Sequence, residues 1–216
     1  MIYIPKSDKP EILEQKDAEW TNELMSKISN DEEVPESLKE KYRHPQIKEA
    51  VIKETRGKCC YCESKVSHVY PGDIEHIKPK SIFPEFTFAW DNLAFVCSKC
   101  NNKKRDYYSQ NGGVNILNPY SENPLNHLYS FGPMIMHVNN SKIGEFTWKK
   151  LDLNRMSLIE KRKEKIESIQ TLIDKYNREE DESLKEILKQ ELLENAEQDS
   201  EYSMSVRNYL KGQGIE

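Results

Sequence analysis

The 216-residue sequence predicts an α+β protein: a small, metal-held folded centre with amphipathic helices before and after it. Three observations lead there. All five cysteines fall between Cys59 and Cys100. Segments with helical apolar spacing occupy both ends of the chain. Hydrophobic content is 36% against 32% charged residues, which is lean for one large core. The organisation expected is an N-terminal helical segment (1–57), a metal-bearing core (58–110), a wrapping loop with a β-hairpin (111–153) and a C-terminal helical region (154–216).

In chain order, Pro10 opens a helix to about Ser29, with Leu13, Trp20, Leu24 and Ile28 near helical spacing. Pro45 suits the first turn of a second helix, and Gly57 its stop. Glu63 to His76 reads as a turn and a short strand, punctuated by Pro71-Gly72. The aromatic residues Phe83, Phe86, Phe88, Trp90 and Phe95 read as core packing, because a small domain needs its few large side chains inside. Cys97 to Tyr108 reads as a knuckle and a short helix, and Gly112 to Leu128 as a turn-rich wrap. Met134 to His137 and Phe146 to Leu151 are expected to pair as a hairpin around Asn139-Asn140-Ser141. Asn154 is expected to cap a long helix reaching Asn177. Further helices follow over 181–196 and 200–210.

No run of 18 apolar residues exists, so a membrane-spanning helix is not expected. The first ten residues lack the pattern of a signal peptide, and a cytoplasmic location is expected. In that setting, cysteines gathered in one stretch argue for metal over disulfides. Cys59/Cys62 and Cys97/Cys100 are two Cys-x-x-Cys pairs suited to one tetrahedral structural zinc, with Cys60 a spare that substitutes for Cys59 only with poorer loop geometry. The pairs are separated by 34 residues, so the insert must itself be folded. Four sulfur ligands leave no open position for water, which makes this metal structural.

The insert carries Glu75-His76, Asp91-Asn92-Leu93 and, just past it, Cys-x-x-Cys-Asn101. Phosphodiester hydrolysis needs a base for water and a hard cation for the developing charge. His76 suits the base, since imidazole titrates near neutrality. Glu75 and Asn101 suit Mg²⁺ or Mn²⁺ as oxygen ligands. Asn92 either fixes the backbone or orients the imidazole. Asp73 shares a strand face with Glu75 and is either a second metal carboxylate or a solvent-exposed turn residue. Net charge is −5, yet residues 58–108 hold eight basic and six acidic groups. Lys78, Lys80, Lys99, Lys103, Lys104 and Arg105 form a candidate phosphate footprint there. The other histidines (His44, His68, His127, His137) read as helix-start, turn or strand residues. The competing interpretation is a non-catalytic zinc module that binds nucleic acid or protein, with Glu75-His76 as ordinary surface.

Glu-His-Ile-x-Pro, Asp-Asn-Leu and Cys-x-x-Cys-Asn-x-x-Lys together resemble an HNH (ββα-metal) endonuclease domain of the zinc-knuckle type over 59–105. The resemblance implies His76 as general base, Glu75 as a ligand of the catalytic metal, and Asn92 as the middle letter of the motif. The last letter is usually histidine but is Asn101 here, as in the HNH domain of the RNA-guided CRISPR nuclease; metal preference is what this departure affects. The blocks CCYCE, IEHIKPKS, WDNL, CNNKK, ILNP and LDLNR are similar to PtuB-type HNH nucleases of Septu anti-phage systems and related retron effectors. That likeness implies a nucleic-acid substrate (DNA favoured, RNA possible) and a partner ATPase of the ABC/SMC-like, PtuA type. The C-terminal helices are expected to pack on the core, with a docking surface for the partner as a secondary role.

Overall fold

A computed structural model describes residues 1–66 and 70–215. The N-terminal ten residues run extended across the centre of the molecule. Ile4 N–H donates to Pro119 O (2.9 Å) and Trp90 Nε1–H donates to Ser7 O (2.8 Å). Between them Lys6 Nζ bonds Leu93 O (2.8 Å) and Glu54 (3.1 Å) while lying 3.6 Å from the Trp90 ring centre. Helix α1 (Glu11–Ser29) follows and buries Leu13, Trp20 and Leu24. Trp20 meets Phe88 edge-on at 5.5 Å, a geometry worth about 0.5–1.5 kcal/mol beyond the area it buries.

After the short α2 (Glu36–Lys39) and a single tight turn at Lys41–Arg43, α3 (Pro45–Glu54) starts with Pro45 at its first position. His44 accepts the Gln46 N–H at the helix entrance, the helix-start role its position suggested. Past the first cysteine pair, β1 (Asp73–His76) and β2 (Leu93–Val96) pair antiparallel in the register Asp73↔Val96 to His76↔Leu93. β2 is buried along its whole length, so this sheet is the spine of the main core. Helix α4 (Ser98–Lys104) leaves β2 through the second cysteine pair. The α+β class and the two-strands-then-helix order around a four-cysteine cluster are both present.

The aromatic stretch divides. Phe88, Trp90 and Phe95 are core residues, whereas Phe83 and Phe86 stay half-buried. The Lys78 ammonium lies 4.2 Å from the Phe86 ring centre, so these two rings end at a polar rim instead of the interior.

The expected hairpin is corrected. β4 (Met134–His137) pairs with β3 (Leu128–Phe131), not with 146–151. Residues 146–150 instead belong to helix α5 (Lys142–Lys150). The β-favouring Phe-Thr-Trp run misled, because Ser141 caps the helix by accepting the Gly144 N–H (3.1 Å). Burial then falls on Gly144, Thr147 and Leu151, a helical spacing. Asn154 is corrected too. Its amide is committed to strand β4, taking the Ile135 N–H and donating to the Ile135 O, both at 2.8 Å. Helix α6 (Met156–Arg178) therefore begins at Arg155 without a side-chain cap.

The last helices, α7 (Glu182–Glu194) and α8 (Ser203–Gly212), complete the described chain. Their expected packing on the core holds for part of the region. Leu158, Tyr202 and Met204 join the main core. Ile169, Ile173, Leu192, Val206 and Leu210 close a second apolar cluster among α6, α7 and α8. Buried Glu63, next to the first cysteine pair, accepts from Ser203 Oγ (2.8 Å) and Met204 N (3.3 Å), binding α8 to the knuckle. His127 serves the fold: its ring bonds Ser141 Oγ (2.7 Å) and Glu122 (2.5 Å), behind the start of α5. His137 accepts from Trp148 Nε1 (3.4 Å), and His68 lies outside the described residues.

Gly72, immediately before β1, has φ +69°, and a β-carbon there would stand 2.3 Å from the Phe95 ring. Gly72→Ala should therefore cost about 2 kcal/mol or more from left-handed strain and overpacking together. Urea unfolding should report this as a lower midpoint; an unchanged midpoint would show that the turn has room to relax.

Candidate active site and cysteine cluster

Two loops deliver the cysteines. The first follows α3, where Arg56 and Gly57 both adopt positive φ and turn the chain back. The second is the β2–α4 junction, where Cys97 is the cap residue of α4 and its sulfur accepts the Cys100 N–H. The sulfurs of Cys59, Cys62, Cys97 and Cys100 all lie within 4.8 Å of one another, and Cys62 and Cys97 are 3.9 Å apart. Four sulfurs at ~2.3 Å from one tetrahedral zinc would stand about 3.8 Å apart, so the cluster fits zinc with little adjustment. Cys60 is buried outside the tetrad, and its N–H is spent on Phe95 O (3.0 Å). Of the two, it is Cys59 whose sulfur stands beside the other three. Arg155 places its guanidinium 3.8–3.9 Å from Cys100 Sγ, supplying positive charge beside the sulfurs. Hydrogen bonds from Cys100, Cys59 and Cys97 hold the Cys62 thiol well below its usual range, while burial pushes Cys59 well above it.

The second cluster forms where α4 crosses β1. Asp73 and Glu75 share one strand face, and Asn101 and Lys104, three apart on α4, face them. Asn101 Nδ2 donates to Asp73 Oδ2 (3.1 Å). Lys104 Nζ pairs with Glu75 Oε1 (2.5 Å) and donates to His76 O (2.8 Å). Asp73 also accepts from Tyr70 OH (2.9 Å). The partnering thus differs from the expected Glu75–Asn101 couple: Asn101 is joined to Asp73, and Glu75 to Lys104. Asp73 is half-buried, so it is built into this cluster and is not a free turn residue. Burial pushes the Glu75 carboxyl up to about 7 against the pull of Lys104.

His76 is 7% exposed. Its Nε2 meets Thr87 O at 2.9 Å. A carbonyl can only accept, so Nε2 carries the proton and Nδ1 keeps the lone pair. Tyr42 packs edge-on against the ring at 4.6 Å. Burial lowers the imidazole pKa to about 4, helped by nearby Lys80 and Lys104, so the ring is neutral at pH 7. Asn92 takes the backbone role of the two open to it. It accepts the Lys78 N–H (2.7 Å) and donates to Lys78 O and Phe86 O (both 3.0 Å). Those bonds fix the loop that carries Thr87, and through it the imidazole.

The basic residues scatter. Lys104 is 2% exposed and so is no surface contact for a phosphate backbone. Lys103 pairs with Asp152 (2.9 Å), and Lys80 lies over the Tyr42 ring. Arg105, at the end of α4, is exposed with φ +49°. Three residues at this site carry no mark in the sequence. Tyr42 and Thr87 are distant in the chain from His76, and Arg43 shares with Asp73 and Asn101 a recess of about 410 Å³. Only the Asn-x-x-Lys spacing hinted at Lys104, and it could not say which strand residue the lysine meets.

For a divalent cation, Asp73 and Asn101 offer adjacent oxygen-bearing side chains, and Glu75 becomes a third only if it exchanges Lys104 for the ion. The donor set therefore fits through Asp73 and Asn101 first.

Residues 59–106 match the family model described as HNH endonuclease. The chain is 30% identical over 132 residues to the Septu protein PtuB of Bacillus thuringiensis, covering 61% of this chain and 47% of that one. To the Septu protein PtuB of Bacillus mycoides strain KBAB4 it is 28% identical over 152 residues, covering 57% and 52%. The chain spans about half the length of the curated relatives it matches.

The tetrad predicts one zinc per chain. Cys59→Ser or Cys62→Ser should lose the metal and lower the thermal midpoint sharply, because structural zinc contributes ~10 kcal/mol to folding in small domains. Cys60→Ser should keep it. Metal analysis of the three purified variants checks this; zinc lost from Cys60→Ser but kept by Cys59→Ser would reverse the assignment.

Proposed function

We propose that the chain is a metal-dependent endonuclease that hydrolyses phosphodiester bonds, DNA favoured, and serves as the nuclease of an anti-phage defence system. The observation that carries this is one junction. Within the segment matching the HNH endonuclease model, α4 lays Asn101 on Asp73 and Lys104 on Glu75, beside an imidazole whose tautomer is fixed. A zinc-binding module that only docks a partner has no need to gather acid, amide and imidazole at one place.

In this reading His76 accepts the proton of the attacking water at Nδ1, the ring nitrogen that Thr87 leaves free. Burial takes the imidazole pKa to about 4, away from the near-neutral titration expected of it, so the lone pair is available at pH 7 but holds a proton weakly. Asp73, Asn101 and Glu75 would hold Mg²⁺ or Mn²⁺, which when bound offsets the charge developing on the phosphate. Asn92 holds the loop on which the imidazole is braced, and the tetrad holds the angle between β1 and α4. The similarity to the two Septu proteins supports a defence role and a partner ATPase of the ABC/SMC-like, PtuA type. No helix among the described residues is long and apolar enough to cross a membrane.

Two features favour the alternative, a non-catalytic zinc module: the imidazole is covered by Tyr42, and Glu75 is already neutralised by Lys104. A cleavage assay separates the readings. Plasmid DNA and total RNA are incubated with Mg²⁺ or Mn²⁺, with and without the neighbouring ATPase, using wild type, His76→Ala and Asp73→Ala. Catalysis predicts a fall of about 10²-fold or more in His76→Ala, the usual contribution of a general base, with zinc content and folding unchanged. Equal cleavage by wild type and His76→Ala would remove His76 from the mechanism and leave the binding module as the better account.

A further inference from the structure

The recess at Asp73 and Asn101 does not end at the proposed cleavage site. Besides these two residues it is lined by Arg43, Lys48 and Tyr70. Tyr70 also lines a larger cleft, about 800 Å³. That cleft lies between the start of α4, the first three turns of α6 and the turn at 199–202, and Cys97 of the tetrad forms part of its wall. Helix α4 borders both hollows, with Lys99 in the cleft and Asn101 in the recess.

The cleft has an unusual charge for this chain. Lys65, Lys99, Arg155, Lys161 and Lys165 face Glu164, Asp199 and Glu201, a positive balance in a protein of net charge −5. Each acid is already engaged. Asp199 pairs with Arg56 (3.0 Å) and Glu164 with Lys161 (2.7 Å), and Glu201 accepts the Lys65 backbone N–H (2.6 Å). Lys65 and Lys99 are exposed and, among the described residues, form no ion pair. At the junction stands Tyr70, 42% exposed, with its hydroxyl fixed on Asp73. A held aromatic ring between two cationic hollows offers a stacking platform for a base, with charges on each side for the flanking phosphates.

We propose, resting on the nuclease reading above, that a nucleic-acid strand runs along this one groove. It passes from the Asp73–Asn101 recess, over Tyr70, into the basic cleft beside the cysteine tetrad. The cleft binds phosphates flanking the scissile one, and Tyr70 stacks a base where the two hollows meet. Most of this track comes from outside the 59–106 segment: Arg43 and Lys48 lie before it, and Arg155, Lys161 and Lys165 after it.

The test measures binding apart from cleavage. In the His76→Ala background of the full chain, without added divalent metal, fluorescence anisotropy follows short labelled duplex DNA, single-stranded DNA and RNA of one sequence. Replacing Lys65, Lys99 and Lys161 together by Glu should weaken binding of whichever probe binds the parent by about tenfold or more, and flatten the salt dependence by roughly one power of salt per lost phosphate contact. The Gln versions should fall in between. A charge-matched control, Lys16→Glu, Lys149→Glu and Lys211→Glu, should leave affinity within about twofold, since charges far from a site act only through the screened long-range field. Tyr70→Phe should keep the affinity that Tyr70→Ala loses, because stacking needs the ring. The groove is overturned if the groove triple behaves like the control, or if polyglutamate binds as tightly as every nucleic-acid probe. Failure of the nuclease reading looks different: cleavage indifferent to His76, with groove-dependent binding intact.

Discussion

Everything proposed for this protein depends on how the cysteine tetrad clamps two distant loops together. Cys59 and Cys62 arrive at the end of the N-terminal helical segment; Cys97 and Cys100 open α4. Joining them fixes where α4 begins relative to the β1–β2 ribbon. A two-stranded ribbon of four-residue strands is marginal in water on its own, and a seven-residue helix is shorter than any that holds itself together. The clamp and the surrounding core provide what neither element has alone. The side-chain contacts between α4 and β1 follow from this fixed crossing, and a shift of one helical residue would turn Asn101 and Lys104 away from the strand.

The site is also held from outside its own segment. The Tyr42 ring that covers His76 comes from the turn before α3, and Lys6 of the extended N-terminal segment bonds the carbonyl of Leu93, the residue opposite His76 in the ribbon. Arg155, from the approach to α6, stands against Cys100. A buried carboxylate and a buried imidazole next to each other would be costly if both were charged. Here the cost is contained: Lys104 neutralises Glu75, and the imidazole stays neutral with its N–H on a carbonyl. In the proposed chemistry a divalent ion would have to displace Lys104 from Glu75, whereas Asp73 and Asn101 are held only by hydrogen bonds.

The legible parts of the sequence were those written in local spacing. Cys-x-x-Cys pairs, the Pro-initiated helices and the period-two placement of Asp73 and Glu75 depend on neighbours a few residues away, and each is found in the structure. The errors have two causes. Phe146–Leu151 has strand-like composition, but one serine hydroxyl on the Gly144 N–H and the burial of Thr147 decide for helix. Asn154 has the chemistry of a cap, yet a strand backbone from 19 residues earlier claims its amide. Lys104 sits in a run of basic residues that reads as surface, and only the approach of β1 makes it a buried counter-ion. At 146–151 a local serine cap and helical spacing outweigh strand-like composition. For Asn154 and Lys104 a contact distant in sequence overrides a sound local preference. The Thr87 carbonyl is the clearest instance, because any residue there would offer the same atom.

In the proposed reading, the seven residues of helix α4 serve a clamp, a reaction centre and a binding groove together. Successive residues on a helix point 100° apart, so seven positions cover all its faces. Cys100 points into the tetrad; Asn101 and Lys104, one turn apart, face β1; Lys99 faces the basic cleft; and Lys103 reaches outward to Asp152. If the proposed site and groove hold, movement of this helix would act on all three roles at once.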